Sequence, residues 1–152
     1  MLLHRVACIS LAVALLAANS ATAQSADTNS PVKATLHKPV PYELRMGTFV
    51  GITLQSVVPE LVTGIVSDDV YDDFENIAIP KGSRFLGHEQ KVVSGLHDIL
   101  WTEIQLAGIG ATYQLQPPLP ATTPLGSRGL SDFRTAARAG TLLTTDMIIL
   151  HE

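Results

Sequence analysis

An acidic segment, residues 68–75, holds the densest group of side chains in this chain that could do chemistry. Carboxylate oxygens are the ligands that Ca²⁺ takes in proteins, and the candidate ligands here are Asp68, Asp69, Asp72 and Asp73. Their spacing differs from that of an EF-hand loop, which has alternating ligands, a central glycine and a distal glutamate. A solvated acidic turn is the ordinary interpretation of such a segment, with a Ca²⁺ site as the alternative.

The remaining polar residues show no catalytic pattern. The histidines lack the i, i+4 spacing that brings two imidazoles to one metal ion; they are His4, His37, His88, His97 and His151. Of these, His88 and His97 could meet across a hairpin. The chain has no G-x-S-x-G nucleophile motif and no phosphate-binding G-x-x-x-x-G-K-[ST] loop. We therefore predict no catalytic residues, no cofactor and no enzymatic activity.

The first 23 residues have the pattern of a signal peptide. Residues 1–5 form a short basic region, residues 6–18 are apolar, and residues 21–23 read Ala-Thr-Ala, a small-x-small cleavage pattern. The apolar run is shorter than the roughly 20 residues that a membrane-spanning helix needs. We expect cleavage after Ala23 and export to a bacterial periplasm. Cys8 is the only cysteine and lies inside this segment, so the mature chain has no disulfide and no thiol chemistry.

The charge balance argues against nucleic-acid binding. The chain has 10 Lys and Arg residues against 14 Asp and Glu residues, a net charge of -4, and it contains no basic block. Because nucleic-acid affinity comes largely from cationic side chains that neutralise phosphates, we expect no direct binding to DNA or RNA. With 46% hydrophobic residues, the chain is predicted to form one small globular domain.

The elements that must position these residues are mainly strands. Residues 24–43 are polar and proline-containing and predict an extended N-terminal arm, and a β-domain follows over residues 44–152. Alternating apolar residues predict a first strand around residues 50–54. Further strands are expected at residues 61–66, 83–89, 99–106, 111–115 and 145–150. In the strand at 99–106, one face should carry Leu100, Thr102, Ile104 and Leu106, and the other Ile99, Trp101, Glu103 and Gln105.

Turns and breakers divide these strands. Pro80 suits the second position of a tight turn and Gly82 the fourth, so the chain should turn after Ile79. Gly108 lies between two predicted strands and indicates a hairpin turn. The proline-rich residues 116–124 predict a rigid surface connector, since proline gives no donor to a sheet.

A short helix is expected near the end of the chain, over residues 131–139. Ser131 suits its N-cap and Gly140 its end. The fold class predicted is therefore mainly β, a small β-barrel or sandwich with one short C-terminal helix. Trp101, the only tryptophan, is expected in the core, with an interface anchor as the alternative.

An ordered set of motifs resembles the C-terminal domain of the TrbI family, the scaffold proteins of type IV secretion and conjugal transfer machines. The set begins with Leu44 and G-T-F-V and continues with D-V-Y-D and I-P-K-G-S-R, which start ten residues apart. It then runs through Leu86-Gly87 and Gly95 to Trp101-Thr102 and Ile104. The matching residues that we expect to be structural are Gly47, Asp69, Tyr71, Asp72, Pro80, Lys81, Gly82, Ser83, Gly87 and Trp101.

The resemblance implies a β-barrel domain that assembles side by side into a ring in the outer-membrane core complex. It implies homo-oligomers, and partners from the same core complex that include an outer-membrane lipoprotein. Typical members have an inner-membrane helix and a long periplasmic linker, whereas this chain has a cleavable signal and a short arm. Few residues follow Leu130, so we expect a reduced member that does not cross the outer membrane.

A second hypothesis comes from a different functional class. A small exported β-domain with an acidic turn could also be a free periplasmic binding module for a glycan, a peptide or Ca²⁺. A ligand-dependent rise in melting temperature would favour this hypothesis. A stable ring with core-complex partners would favour the scaffold.

Overall fold

The computed structural model describes residues 35–150, which fold mainly as β-strands, so the predicted class is confirmed. The strands are β1 (Glu43–Leu44), β2 (Phe49–Val58), β3 (Leu61–Val66), β4 (Val70–Tyr71), β5 (Ile77–Ile79), β6 (Arg84–Val93), β7 (Leu96–Gln105), β8 (Thr112–Thr122), β9 (Arg138–Leu142) and β10 (Met147–Ile148). The predicted signal peptide and residues 24–34 of the predicted arm lie outside the described residues. Within residues 35–150, no helix is long and apolar enough to cross a membrane.

Six strands form a closed barrel in the order β2-β3-β6-β7-β8-β9. The barrel closes where β9 pairs antiparallel with β2, from Phe49 opposite Leu142 to Thr53 opposite Arg138. Two short pairs lie outside it, β1 with β10 and β4 with β5. Because closure gives every barrel strand two neighbours, most of the backbone is hydrogen-bonded within the barrel.

The barrel interior is filled by alternating apolar side chains. In β2, Val50, Ile52 and Leu54 are buried, while the residues between them are only partly covered. This is the period of two that a strand with one face in the core must have. Phe85 on β6 and Trp101 on β7 are the largest buried side chains, and their rings meet edge to face at 5.9 Å. The core therefore lies inside the barrel, with Trp101 in it.

The predicted faces of β7 are wrong beyond its midpoint. The buried apolar side chains of this strand are Ile99, Trp101 and Ile104, so the apolar side changes from odd to even positions. The register explains the change: Gly87 lies opposite Trp101 and Leu86 opposite Glu103, so the register gives Thr102 no opposite residue on β6. Such a bulge adds one residue and reverses the alternation after it.

The prediction of a rigid connector at residues 116–124 is also wrong, because residues 116–122 belong to β8. The pairing with β7 moves from Gln114 opposite Glu103 directly to Leu119 opposite Trp101. Pro117 and Pro118 lie in the intervening bulge, where the residues are unpaired and need no backbone N–H donor. The strand thus leaves Pro117 and Pro118 out of the pairing, while Pro120 lies opposite Leu100 of β7.

The predicted helix at residues 131–139 is absent from the described residues, and β9 takes part of its place. Ala136 has a positive φ of 68°, which a right-handed helix does not allow. Its N–H donates to the Leu54 carbonyl at 2.8 Å, and the Leu54 N–H donates to the Ala137 carbonyl at 2.9 Å. Ser131 and Gly140 are local signals for the start and the end of a helix. The pairing of β9 with β2, which closes the barrel, outweighs these local preferences.

Two predicted turns are present, one of them displaced. Ser83 N–H donates to the Pro80 carbonyl at 3.1 Å, so Pro80 is the first residue of the turn and Gly82, with φ 86°, is the third. A third position with positive φ is the place where glycine is required. The hairpin turn at Gly108 joins β7 to β8 as predicted. The last predicted strand, residues 145–150, shortens to β10.

Candidate functional site

The two longest motifs, D-V-Y-D and I-P-K-G-S-R, come together in the structure because β4 pairs with β5. Lys81 N–H donates to Asp69 Oδ1 at 2.6 Å and ties the turn to the start of β4. Ser83 is fully buried, and its Oγ accepts a hydrogen bond from Ala107 N–H at 3.0 Å. Asp69 and Ser83 therefore hold three loops together at one end of the barrel.

Gly87 and Trp101 form the second motif contact. A Cβ atom on Gly87 would lie 2.3 Å from the Leu100 carbonyl oxygen and 2.9 Å from the Trp101 ring. Only glycine lets β6 approach β7 this closely, and Trp101 is 0% exposed. Gly47, with φ 86°, lies in a turn before β2 that the hydrogen bond from Thr48 N–H to the Arg45 carbonyl closes at 3.0 Å, and its own N–H donates to the Leu143 carbonyl at 2.8 Å. These matched residues hold backbone and core in place.

Asp72 is the organising residue of the acidic segment. Its carboxylate accepts hydrogen bonds from the backbone N–H groups of Tyr42 at 2.6 Å and of Phe74 and Asn76 at 2.8 Å, and from the Asn76 amide at 2.8 Å. Burial raises the pKa of Asp72, but these four hydrogen bonds outweigh it and lower the pKa to about 2. Asp72 thus joins the residue before β1 to the β4–β5 loop.

The four aspartates that the sequence offered as Ca²⁺ ligands do not converge. Asp69 and Asp72 accept backbone hydrogen bonds, Asp73 forms an ion pair with Arg45, and Asp68 is exposed. Within residues 35–150, none of them belongs to a set of three groups placed to share a cation. The geometry thus provides no ligand cluster at these positions.

A different set of metal-ligating side chains does converge, on His37, Glu43 and Asp146. His37 Nε2 lies 3.0 Å from both oxygens of Glu43. The Val40 N–H, and then His37, lower the pKa of Glu43, which is only 8% exposed. Asp146 Oδ1 accepts a hydrogen bond from Met46 N–H at 2.8 Å. Sequence reasoning missed this set because Glu43 and Asp146 are brought together only by the pairing of β1 with β10.

The two histidines expected to meet across a hairpin have different neighbours. His88 lies opposite Leu100, four positions before the residue of β6 that faces His97. His97 Nδ1 is 2.5 Å from Glu89 Oε1, and its ring stacks on Phe133 at 4.3 Å. His97 therefore fastens a loop to the barrel wall.

Exposed apolar side chains gather at the tips of two neighbouring hairpins. Each is 41–53% exposed, and we call this patch the hairpin end: Val58, Leu61, Val92, Val93 and Leu96. The tips are joined by a hydrogen bond from Glu89 N–H to the Pro59 carbonyl at 2.8 Å. Apolar side chains left exposed at hairpin tips are typical of interaction sites.

A second apolar patch surrounds the acidic segment. We call it the loop face: Tyr71, Phe74 and Ile77, each 41–55% exposed. β3 begins beside the hairpin end and leads, six residues later, into the segment that carries the loop face. At about 3.3 Å per residue, the two patches lie roughly 20 Å apart along this strand.

Comparisons with known proteins leave the family open. No family model matches the chain, and no curated protein matches it. The resemblance to the TrbI family therefore rests on the motif residues alone.

Proposed function

We propose that this protein is a structural subunit of the outer-membrane core complex of a bacterial type IV secretion or conjugal DNA transfer machine. In this proposal it is exported to the periplasm and assembles into a ring through its β-domain and its N-terminal arm. The observation that carries the proposal is the presence of two separate apolar patches, the hairpin end and the loop face, on a small closed barrel.

Two different patches are what a ring requires. A ring forms by head-to-tail contact, in which one surface of each subunit meets a different surface of the next. The hairpin end is apolar and protruding, and the loop face combines three apolar side chains with an acidic surround. At the hairpin end the charges of Lys91 and Glu60 offset each other, so the proposed contact between the patches is mainly apolar.

The edge of β6 offers a second kind of contact. β3 pairs with β6 only as far as Gly87, so residues 88–93 extend beyond the β3 ladder. Beyond Gly87, Glu89 N–H donates a hydrogen bond to the Pro59 carbonyl on that side. Open edges of this kind accept a strand from a neighbouring chain.

The matched motif residues support a structural role for the domain. They form turns, a close strand contact and a buried core, at Asp69, Gly82, Gly87 and Trp101 above all. Residues of this kind set the shape of a scaffold, and shape is what a ring subunit contributes. The expected partners are further copies of this chain and other core-complex proteins, including an outer-membrane lipoprotein.

One observation favours the second hypothesis, a free periplasmic binding module. A groove of about 380 Å³ lies between β8 and β10 and is lined by apolar residues, such as Tyr113 and Ile149, together with the polar residues Gln114, Gln116 and Asp146. A short extended peptide would suit its dimensions. In this case the protein would act as a monomer.

The test is the mass and composition of the mature protein, extracted gently from its native envelope together with what it binds. The scaffold proposal predicts a large symmetric assembly that contains other secretion components. A lone species with the mass of a 129-residue chain, unaccompanied by such components, would overturn it and favour the binding module.

A further inference from the structure

We propose that His37, Glu43 and Asp146 form a binding site for a divalent transition-metal cation of the zinc type. One ligand atom from each residue lies within 4.8 Å of the other two. The three residues come from the segment before β1, from β1 itself and from the residue before β10. The proposal concerns the single chain and does not depend on the secretion role.

The charges at this point favour a cation. Glu43 is largely buried, and Asp146 adds a second carboxylate beside it. Of the three residues, only His37 can carry a positive charge. Within the part of the chain that the structure describes, neither carboxylate forms an ion pair with a lysine or an arginine. A divalent cation would balance both negative charges at once.

The donor atoms select the kind of metal. One imidazole nitrogen with two carboxylates is a ligand set that Zn²⁺ accepts, and three protein ligands leave its fourth position for water. Ca²⁺ takes six to eight oxygen ligands, which three residues with one nitrogen donor do not supply. Zinc ligands lie about 2.0–2.2 Å from the metal, so the donor atoms must contract slightly. The exposed side chains of His37 and Asp146 can make that movement.

Binding would fasten the N-terminal segment to the barrel. His37 lies six residues before Glu43, and in the absence of metal it is held by its contacts with that carboxylate. A shared cation would join His37, β1 and the chain entering β10 at one point. A ligand that binds only the folded state also raises thermal stability.

The experiment uses tag-free mature protein, titrated with ZnCl₂ by calorimetry and followed by thermal melting. We expect one Zn²⁺ per chain and a rise in Tm of roughly 5–10 °C at a concentration about 100 times Kd. His37→Ala and Asp146→Asn should each weaken Zn²⁺ binding by about tenfold or more. Both residues are exposed, so the variants should keep the fold.

Matched controls are His88→Ala and Asp132→Asn, which remove a histidine and an aspartate from other parts of the barrel. Their Zn²⁺ affinity should stay within about twofold of that of the unaltered protein. The site is overturned if the protein takes up no Zn²⁺ or if His37→Ala and Asp146→Asn bind it as the controls do. Parallel titrations with CaCl₂ and MgCl₂ test the metal class, and a stronger response to Ca²⁺ than to Zn²⁺ would contradict the assignment.

Discussion

At the scale of single residues, Asp72 has the most concentrated set of contacts in the described chain outside the core. Its carboxylate receives four hydrogen bonds, one of them from Tyr42, thirty residues earlier. Asp72→Asn replaces one acceptor oxygen with a donor that faces N–H groups, so we expect a lower Tm near neutral pH. The fall should be several degrees and is measured by thermal melting.

The pH dependence follows from the direction of the pKa shift. The folded pKa of Asp72 is lowered from 3.8 to about 2, so its stabilising effect is complete above pH 4. That effect is lost as the pH falls through about 2, where the native carboxylate takes up a proton. The Tm difference between the unaltered protein and Asp72→Asn should therefore shrink from pH 4 to pH 2.

Asp73→Asn is the matched control, because Asp73 is half-exposed and contacts only Arg45 among the described ion pairs. Surface pairs of this kind contribute less than about 1 kcal/mol, so its Tm should change little. Equal effects of the two variants, or a Tm difference for Asp72→Asn that stays constant down to pH 2, would contradict the structural role of Asp72.

The sequence could predict the residue types at this site but not their partners. The acidic segment predicted ligands or a solvated turn, and the turn is closer to what the structure has. The link from Asp72 to Tyr42 could not be predicted, since no local spacing relates the two. The same is true of Glu43 and Asp146, whose proximity depends on β1 pairing with β10.

At the scale of elements, strands with clean alternation were predictable and irregular ones were not. The apolar period of β2 and the β-branched run of β3 identify both strands directly. The bulges at Thr102 and at Pro117 and Pro118 leave no signal in the periodicity, because each depends on the register of a neighbouring strand. The local sequence signals of residues 131–139 predict a helix. In the structure the end of this segment belongs to strand β9.

A substitution at Ala136 tests whether the segment before β9 is a turn or a helix. The positive φ of Ala136 destabilises the folded state by about 1–2 kcal/mol, and glycine would remove this strain. Glycine also raises the conformational entropy of the unfolded chain, which lowers the free energy of unfolding by about 0.4–1 kcal/mol. Ala136→Gly should therefore leave the free energy of unfolding unchanged or raise it by about 1 kcal/mol. Denaturant unfolding gives this quantity.

Ala137→Gly provides the comparison, because Ala137 is buried and has no positive φ. Its free energy of unfolding should fall by about 1 kcal/mol. In a helix, both substitutions would destabilise by about 0.5–1 kcal/mol. A loss of that size for Ala136→Gly would thus favour the helix over the turn that leads into β9.

At the scale of the whole molecule, the barrel is closed by β9, and two of the places where it exposes apolar side chains are the hairpin end and the loop face. Closure removes most free strand edges, and the surfaces that we propose for contact with other molecules are the hairpin end, the loop face and the overhanging edge of β6. A mainly β barrel was predictable from short, closely spaced strands. The two patches were not, because exposure depends on which side chains the barrel leaves outside.

The most direct test of assembly is crosslinking between the two patches. The one native cysteine lies in the predicted signal peptide, so a protein cleaved after Ala23, as proposed, carries only introduced cysteines. We propose a double variant, Leu96→Cys with Phe74→Cys, treated in the native envelope with a short thiol crosslinker. The single variants serve as controls, because a head-to-tail contact never brings two copies of one patch together.

The proposed ring predicts a ladder of dimers, trimers and larger species from the double variant. Each single variant should stay monomeric, and a mixture of the two singles should stop at dimers, since each junction uses one cysteine from each patch. A double variant that remains monomeric while both thiols react with a small reagent would contradict head-to-tail assembly through these patches.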